Sequence, residues 1–140
     1  MAKDYYHEIV KAAIIDDGWT ITDDPYTFDE EVDAGRGLQI DLGAERLIAA
    51  NRGIEKVAIE VKSFLGTSIS YQFHQAIGQY INYRAGLLLQ EPERKLYLAI
   101  PQEVYDELQL IPVFKLACTE NAIKFLVYNL STDKVVSWID

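Results

Sequence analysis

Cysteine is almost missing from this 140-residue chain: there is one, Cys118, in an apolar segment. A single cysteine excludes an internal disulfide framework. Burial as a structural thiol is its expected state, because His7 and His74 are both remote in sequence and offer no adjacent base. Long hydrophobic runs are also lacking. None approaches the roughly 20 residues that span a bilayer, and residues 1–6 (MAKDYY) lack the apolar core of a secretory signal. No repeat, low-complexity tract or linker divides the chain, so residues 1–140 read as one domain. These absences lead to the expectation of a cytoplasmic protein with no membrane partner.

Basic side chains are the next scarcity. Thirteen Lys and Arg face 22 Asp and Glu, giving a net charge of −9. Phosphate contacts supply much of the affinity for nucleic acid, so a chain with no basic stripe is expected to bind general DNA weakly. The imbalance is local, however. Residues 1–34 hold ten acids and two bases, whereas residues 35–62 hold four acids and five bases. Hydrophobic content of 49% with 25% charged residues describes a globular core rather than a disordered segment.

What is present is concentrated in that least acidic stretch. In Val57-Ala58-Ile59-Glu60-Val61-Lys62 the apolar Val57, Ile59 and Val61 alternate with Ala58, Glu60 and Lys62. That period predicts a strand burying the first set and showing Glu60 and Lys62 on the opposite, open face. Ile40-Asp41-Leu42 begins an apolar run over residues 38–50, and Asn51-Arg52-Gly53 offers a turn. An antiparallel hairpin would bring Asp41 beside Glu60 and Lys62 at one sheet edge. Two carboxylates and a lysine suit Mg²⁺-assisted (or Mn²⁺-assisted) phosphodiester hydrolysis, with Asp41 and Glu60 as metal ligands and Lys62 orienting or helping to deprotonate a water. An Asp29-Glu30-Glu31 run with Asp33 lacks the spacing and glycine of a calcium-binding loop. It reads as a solvated loop or a surface for a basic partner.

Elsewhere, residues 4–17 carry Tyr6, Ile9, Val10, Ala13 and Ile14 at helical spacing. Residues 19–22 read as a short strand and residues 23–36 as an irregular loop, and Gly66-Thr67-Ser68 breaks the pattern after Lys62. Residues 70–89 give the strongest helix, with Phe73, Ala76, Ile77, Tyr80, Ile81, Leu87 and Leu88 in one stripe. At about 100° per residue, Gln72, Gln75, Gln79 and Tyr83 share one flank of it. That flank is expected to lean over Glu60 and Lys62, where Gln75 or Gln79 orients the attacking water. Glu8 is a candidate third carboxylate, although it falls opposite the stripe of the first helix, which argues for exposure. Glu45 shares strand parity with Asp41 and is a substitute metal ligand. A strand over residues 95–100, helix near Val104 and Leu108 interrupted at Pro112, and strands over 123–129 and 134–139 complete an α/β (α+β) sandwich: a mixed central sheet flanked by helices.

Asp41, the Glu60-Val61-Lys62 triplet, and Gln79-Tyr80-Ile81-Asn82-Tyr83 on the following helix resemble the PD-(D/E)XK nuclease superfamily of restriction endonucleases, Holliday-junction resolvases and RecB-type exonucleases. Ile40 stands where the superfamily's proline is found. A resemblance over nearly the whole chain is carried by Asp4-Tyr5-Tyr6-His7, the segment Gly37-Leu38-Gln39-Ile40-Asp41-Leu42-Gly43-Ala44-Glu45, the block Ile59-Glu60-Val61-Lys62-Ser63-Phe64, and Gln72-Phe73-His74-Gln75-Ala76-Ile77-Gly78-Gln79-Tyr80. These are similar to XisH, the cyanobacterial fdxN-element excision controlling factors. The resemblance implies a restriction-endonuclease-like fold and a part in programmed removal of a DNA element during heterocyst differentiation. It also implies a XisF-type recombinase and a small XisI-type protein as partners, with DNA. Three readings follow: a metal-dependent deoxyribonuclease, a catalytically idle subunit that binds the recombinase or the small partner, or one half of a toxin–antitoxin-like or defence pair with that small partner. A homodimer is one arrangement the motifs permit.

Overall fold

Helical spacing of Ile9, Val10, Ala13 and Ile14 produces the first element of the computed structural model, which describes residues 2–48, 53–65 and 68–140. This helix, α1 (Ala2–Asp16), buries all four of those side chains. It stops at Gly18, whose φ of 97° suits glycine. The N–H groups of Gly18 and Trp19 then donate to the carbonyls of Ile15 and Ile14, closing the helix end. There follow β1 (Thr20–Asp23), β2 (Tyr26–Thr27), α2 (Glu30–Asp33), β3 (Gln39–Ile40), β4 (Leu42–Leu47), β5 (Ile54–Val61) and α3 (Ile69–Gln90). The chain ends with β6 (Lys95–Pro101), α4 (Gln102–Gln109), α5 (Pro112–Glu120), β7 (Phe125–Asn129) and β8 (Lys134–Ile139).

Six strands form one mixed sheet in the order β1-β4-β5-β6-β7-β8. The neighbours β5, β6 and β7 run parallel, and the remaining pairs are antiparallel. Parallel neighbours need crossovers, and both step the same way across the sheet. One handedness therefore puts α3 and the α4–α5 pair on the same face. Two cores result. Phe73, Ala76 and Tyr80 of α3 pack with Ala58, Leu98, Ile100 and Val127 on that face. Ile9, Val10 and Ile14 of α1 pack with Leu42, Val57, Ile59 and Leu126 on the other. Tyr80 ties α3 to β6 and to the residue leading into β7, donating to the Leu96 carbonyl at 2.8 Å and accepting from the Lys124 N–H at 3.1 Å.

Several expectations are corrected. The face carrying Ala58 and Glu60 is not open: Ala58 is fully buried and Glu60 is 6% exposed, because α3 covers it. Parity along a strand separates its two faces but does not reveal that a crossover helix will roof the second one. The segment 23–36 is less irregular than its acids and Pro25 suggest. Tyr26 and Thr27 pair with Ile40 and Gln39 in a separate two-stranded ribbon, and α2 sits between them. Within the run 38–50, Gln39–Ile40 and Leu42–Leu47 are two strands rather than one, since the chain breaks from pairing at Asp41. Pro112 does not merely interrupt a helix but starts a second one, occupying its first turn. Asn51-Arg52 and Gly66-Thr67 lie outside the described residues.

Candidate active site

Register performs the first part of the assembly. Leu42 of β4 faces Ile59 of β5, so Asp41, one residue earlier, falls beside Glu60, one residue later. Backbone groups lock the pair. Glu60 Oε1 accepts the Asp41 N–H at 3.3 Å, and Asp41 Oδ2 accepts the Val61 N–H at 2.8 Å. The Lys62 N–H donates to the Ala99 carbonyl at 2.9 Å, extending the β5–β6 ladder by one residue. Lys62 Nζ lies 3.5 Å from Glu60 Oε2. Asp41, Glu60 and Lys62 thus converge at the carboxyl end of the parallel strands, the end at which open α/β sheets present their crevice.

The electrostatics of the trio are unfavourable on their own. Burial is the largest influence on Glu60, and the charge of Asp41 is next; against the opposing pull of Lys62 they push its carboxyl up to about 7. The charge of Asp41 adds to the cost of ionising the buried Glu60, and a cation beside the two would remove it.

The flank of α3 meets this edge. Gln72 and Gln75 line a cavity of about 300 Å³ together with Lys62, Tyr6 and Phe64. Tyr83 has its phenol pushed up by burial and then by the charges of Glu60 and Asp41, so it lies within the field of both. Gln79 stands one turn from Gln75 and one turn from Tyr83. Its Oε1 is buried and accepts no hydrogen bond. An orphaned buried acceptor calls for a donor such as a water O–H.

Among the described residues no group of three or more His, Cys, Asp or Glu gathers as a metal cage. Mg²⁺ asks for less: it is held through one or two carboxylates while waters and phosphate oxygens complete its octahedron. Asp41 and Glu60, two hard oxygen donors in mutual repulsion, fit that requirement.

Other candidates lie elsewhere. Glu45 is held by Arg94 at 3.4 Å and faces Lys56 across the β4–β5 pair, so it is not a substitute ligand. Its strand parity was right, but four residues of strand carry it roughly 13 Å from Asp41. Glu8 is exposed, with His7 at 4.0 Å. His74 is exposed and packs edge-on to Phe114. The Cys118 thiol is buried and pushed up to about 11 by that burial, which makes it inert. In the acidic run, Asp33 is occupied by the Gly35 and Leu38 N–H groups. Tyr6 and Phe64 escaped the residue-level reading because an aromatic at helical spacing or after a strand signals core before it signals a cavity wall.

Fold and site together describe a mixed α/β domain whose sheet edge carries a carboxylate pair and a lysine beneath a glutamine-bearing helix. The chain belongs to the XisH protein family, whose model matches residues 1–136. An XisH family protein from Nostoc punctiforme PCC 73102 superposes with a TM-score of 0.83 at 39% identity, covering 96% of this chain and 98% of that one. An fdxN element excision controlling factor protein from Anabaena variabilis superposes with a TM-score of 0.84 at 40% identity, covering 98% and 99%. No curated protein sequence matches the chain significantly. Among the described residues no helix is long and apolar enough to cross a membrane.

Proposed function

We propose that this chain is an excision controlling factor that hydrolyses DNA phosphodiesters with Mg²⁺ or Mn²⁺ on a restriction-endonuclease-like scaffold of the PD-(D/E)XK kind. The observation that carries the reading is the Asp41–Glu60 contact with Lys62 at 3.5 Å. An idle scaffold has no chemical need for two repelling carboxylates, one of them buried, beside a lysine. Asp41 and Glu60 would hold the ion. When bound, it would polarise the scissile phosphate and lower the proton affinity of a water.

The chain's own groups do the rest. Lys62 balances the charge of Glu60, orients a water at the sheet edge and counters negative charge developing on the phosphate. Gln79 offers its unpaired Oε1 to an O–H of that water, and Gln75 stands with Lys62 on the wall of the adjoining cavity. Burial of Glu60 beneath α3 keeps bulk solvent away and strengthens each of these interactions.

The test is a cleavage panel of single-stranded, flap, junction and duplex DNA with Mg²⁺, alone and with a XisI-type partner. Cleavage lost in Asp41→Ala and Glu60→Ala supports the reading; no cleavage of any substrate under either condition overturns it. A second reading, a nuclease-fold subunit that binds the XisF-type recombinase or the small partner, is favoured by the net charge of −9. Element excision unimpaired by Asp41→Ala and Glu60→Ala would establish it.

A further inference from the structure

The cavity beside Lys62 differs in character from the carboxylate pair it adjoins. Its volume, about 300 Å³, is at the lower end for small-ligand pockets. That space admits one nucleoside and excludes a paired duplex. Two aromatic rings, Tyr6 and Phe64, and two amides, Gln72 and Gln75, line it; among the described residues Lys62 is its one cation, and no acid lines it. Phe64 is held there with a left-handed backbone, φ 57°. That conformation is costly for a bulky residue and persists only where the surroundings impose it. On the outer surface Tyr71, 67% exposed, stands one helical turn before Gln75 and is packed into neither core.

Aromatic faces and amide edges, with almost no positive charge, are the equipment for stacking and reading an unpaired base rather than for tracking a duplex backbone. A chain of net charge −9 is poorly equipped to track phosphates, so DNA would have to be held through such contacts instead. We propose that this cavity captures an unpaired base of single-stranded DNA against Tyr6 and Phe64, with Gln72 and Gln75 on the base edge and Tyr71 platforming the next base. The attached phosphate then lies toward Lys62. That the strand is DNA rests on the reading above; its capture does not depend on hydrolysis.

The experiment therefore measures binding without turnover. The full-length protein is titrated, in Ca²⁺ and separately in EDTA, into a single strand carrying 2-aminopurine, into the same sequence as blunt duplex, and into the strand with deoxyadenosine monophosphate as competitor. The expected result is quenching of the single-strand probe, with the duplex bound at least about tenfold more weakly. Tyr6→Leu and Phe64→Leu each weaken strand binding by about tenfold. Gln75→Glu, on an exposed helix position that leaves the fold intact, weakens it through charge repulsion. The salt dependence is shallow, with a log–log slope of about −0.7 for one phosphate contact. Equal affinity for strand and duplex overturns the proposal. So does undiminished binding by Gln75→Glu together with folded Tyr6→Leu and Phe64→Leu. Competition by the mononucleotide as strong as by the strand makes this a nucleotide pocket and likewise overturns it. A strand that binds but is never cut leaves capture standing and removes only the hydrolytic reading.

Discussion

Asp41 and Glu60 are bound to each other through the main chain: the N–H of Asp41 donates to Glu60 Oε1, and Asp41 Oδ2 receives the N–H next to Glu60, that of Val61. Each carboxylate thus keeps one oxygen for the backbone and one for something else. The spare oxygen of Glu60 faces Lys62.

That contact makes the metal-free protein sensitive to pH. Glu60 moves from an ordinary value of 4.5 to about 7 on folding. The folded state then holds its proton more tightly than the unfolded chain, and stability falls as pH rises from about 4.5 through 7, by about 3 kcal/mol at full ionisation. Glu60→Gln is expected to melt higher than the wild type at pH 8 without metal and to match it at pH 4. Thermal unfolding at the two pH values checks this; identical pH profiles would remove the strained pair from the account.

Lys62→Met separates chemistry from folding. Lys62 pulls the Glu60 carboxyl down, so its loss leaves Glu60 harder to ionise and lowers metal-free stability at pH 8. The hydrolytic rate, measured on the most readily cut DNA substrate, is expected to fall by about 10²-fold to 10⁴-fold. A rate within threefold of wild type would exclude Lys62 from the reaction.

Part of this site was legible before any coordinates. The alternation around Glu60, the hairpin and the row of glutamines on one helix flank follow from the periods 2 and 3.6, and those periods survive into the fold. The roofing of Glu60 by α3 was not legible, because burial on both faces depends on which way a crossover passes. The ribbon of β2 and β3 was hidden for another reason: two-residue strands carry no alternation to detect. Arg94 was invisible as well, since its role depends on contacts with residues 3 to 50 positions away.

Arg94 anchors the opposite end of β5. It is almost wholly buried and donates to the Val57 carbonyl at 2.8 Å and to Glu91 at 2.6 Å. Burial alone would raise Glu91; hydrogen bonds from Arg94, Lys56 and Tyr26 outweigh it and hold the carboxyl down to about 2. Arg94→Met leaves Glu91 without its buried partner and is expected to cost about 3–5 kcal/mol in urea unfolding. The stability Glu91 contributes is present above about 4.5 and lost as pH falls toward 2, so the gap between variant and wild type narrows in acid.

Two glycines of α3 should respond oppositely to alanine. A Cβ at Gly78 meets nothing within 4 Å, so Gly78→Ala gains helix propensity and stabilises by about 0.5–1 kcal/mol. A Cβ at Gly86 would stand 2.8 Å from the Phe28 ring. Gly86→Ala therefore sets the same gain against overpacking of about 1–3 kcal/mol and is net destabilising or neutral. Denaturant midpoints of the two variants decide it, and equal stabilisation by both would contradict the packing of Phe28 on α3.

Calorimetric titration of Mn²⁺ or Mg²⁺ at pH 8 into the wild type, Asp41→Asn and Glu60→Gln most directly probes the divalent-ion site. One saturable site in the wild type, abolished in both variants while each stays folded, is the predicted outcome. No saturable heat in the wild type, or binding that persists in both variants, would contradict it.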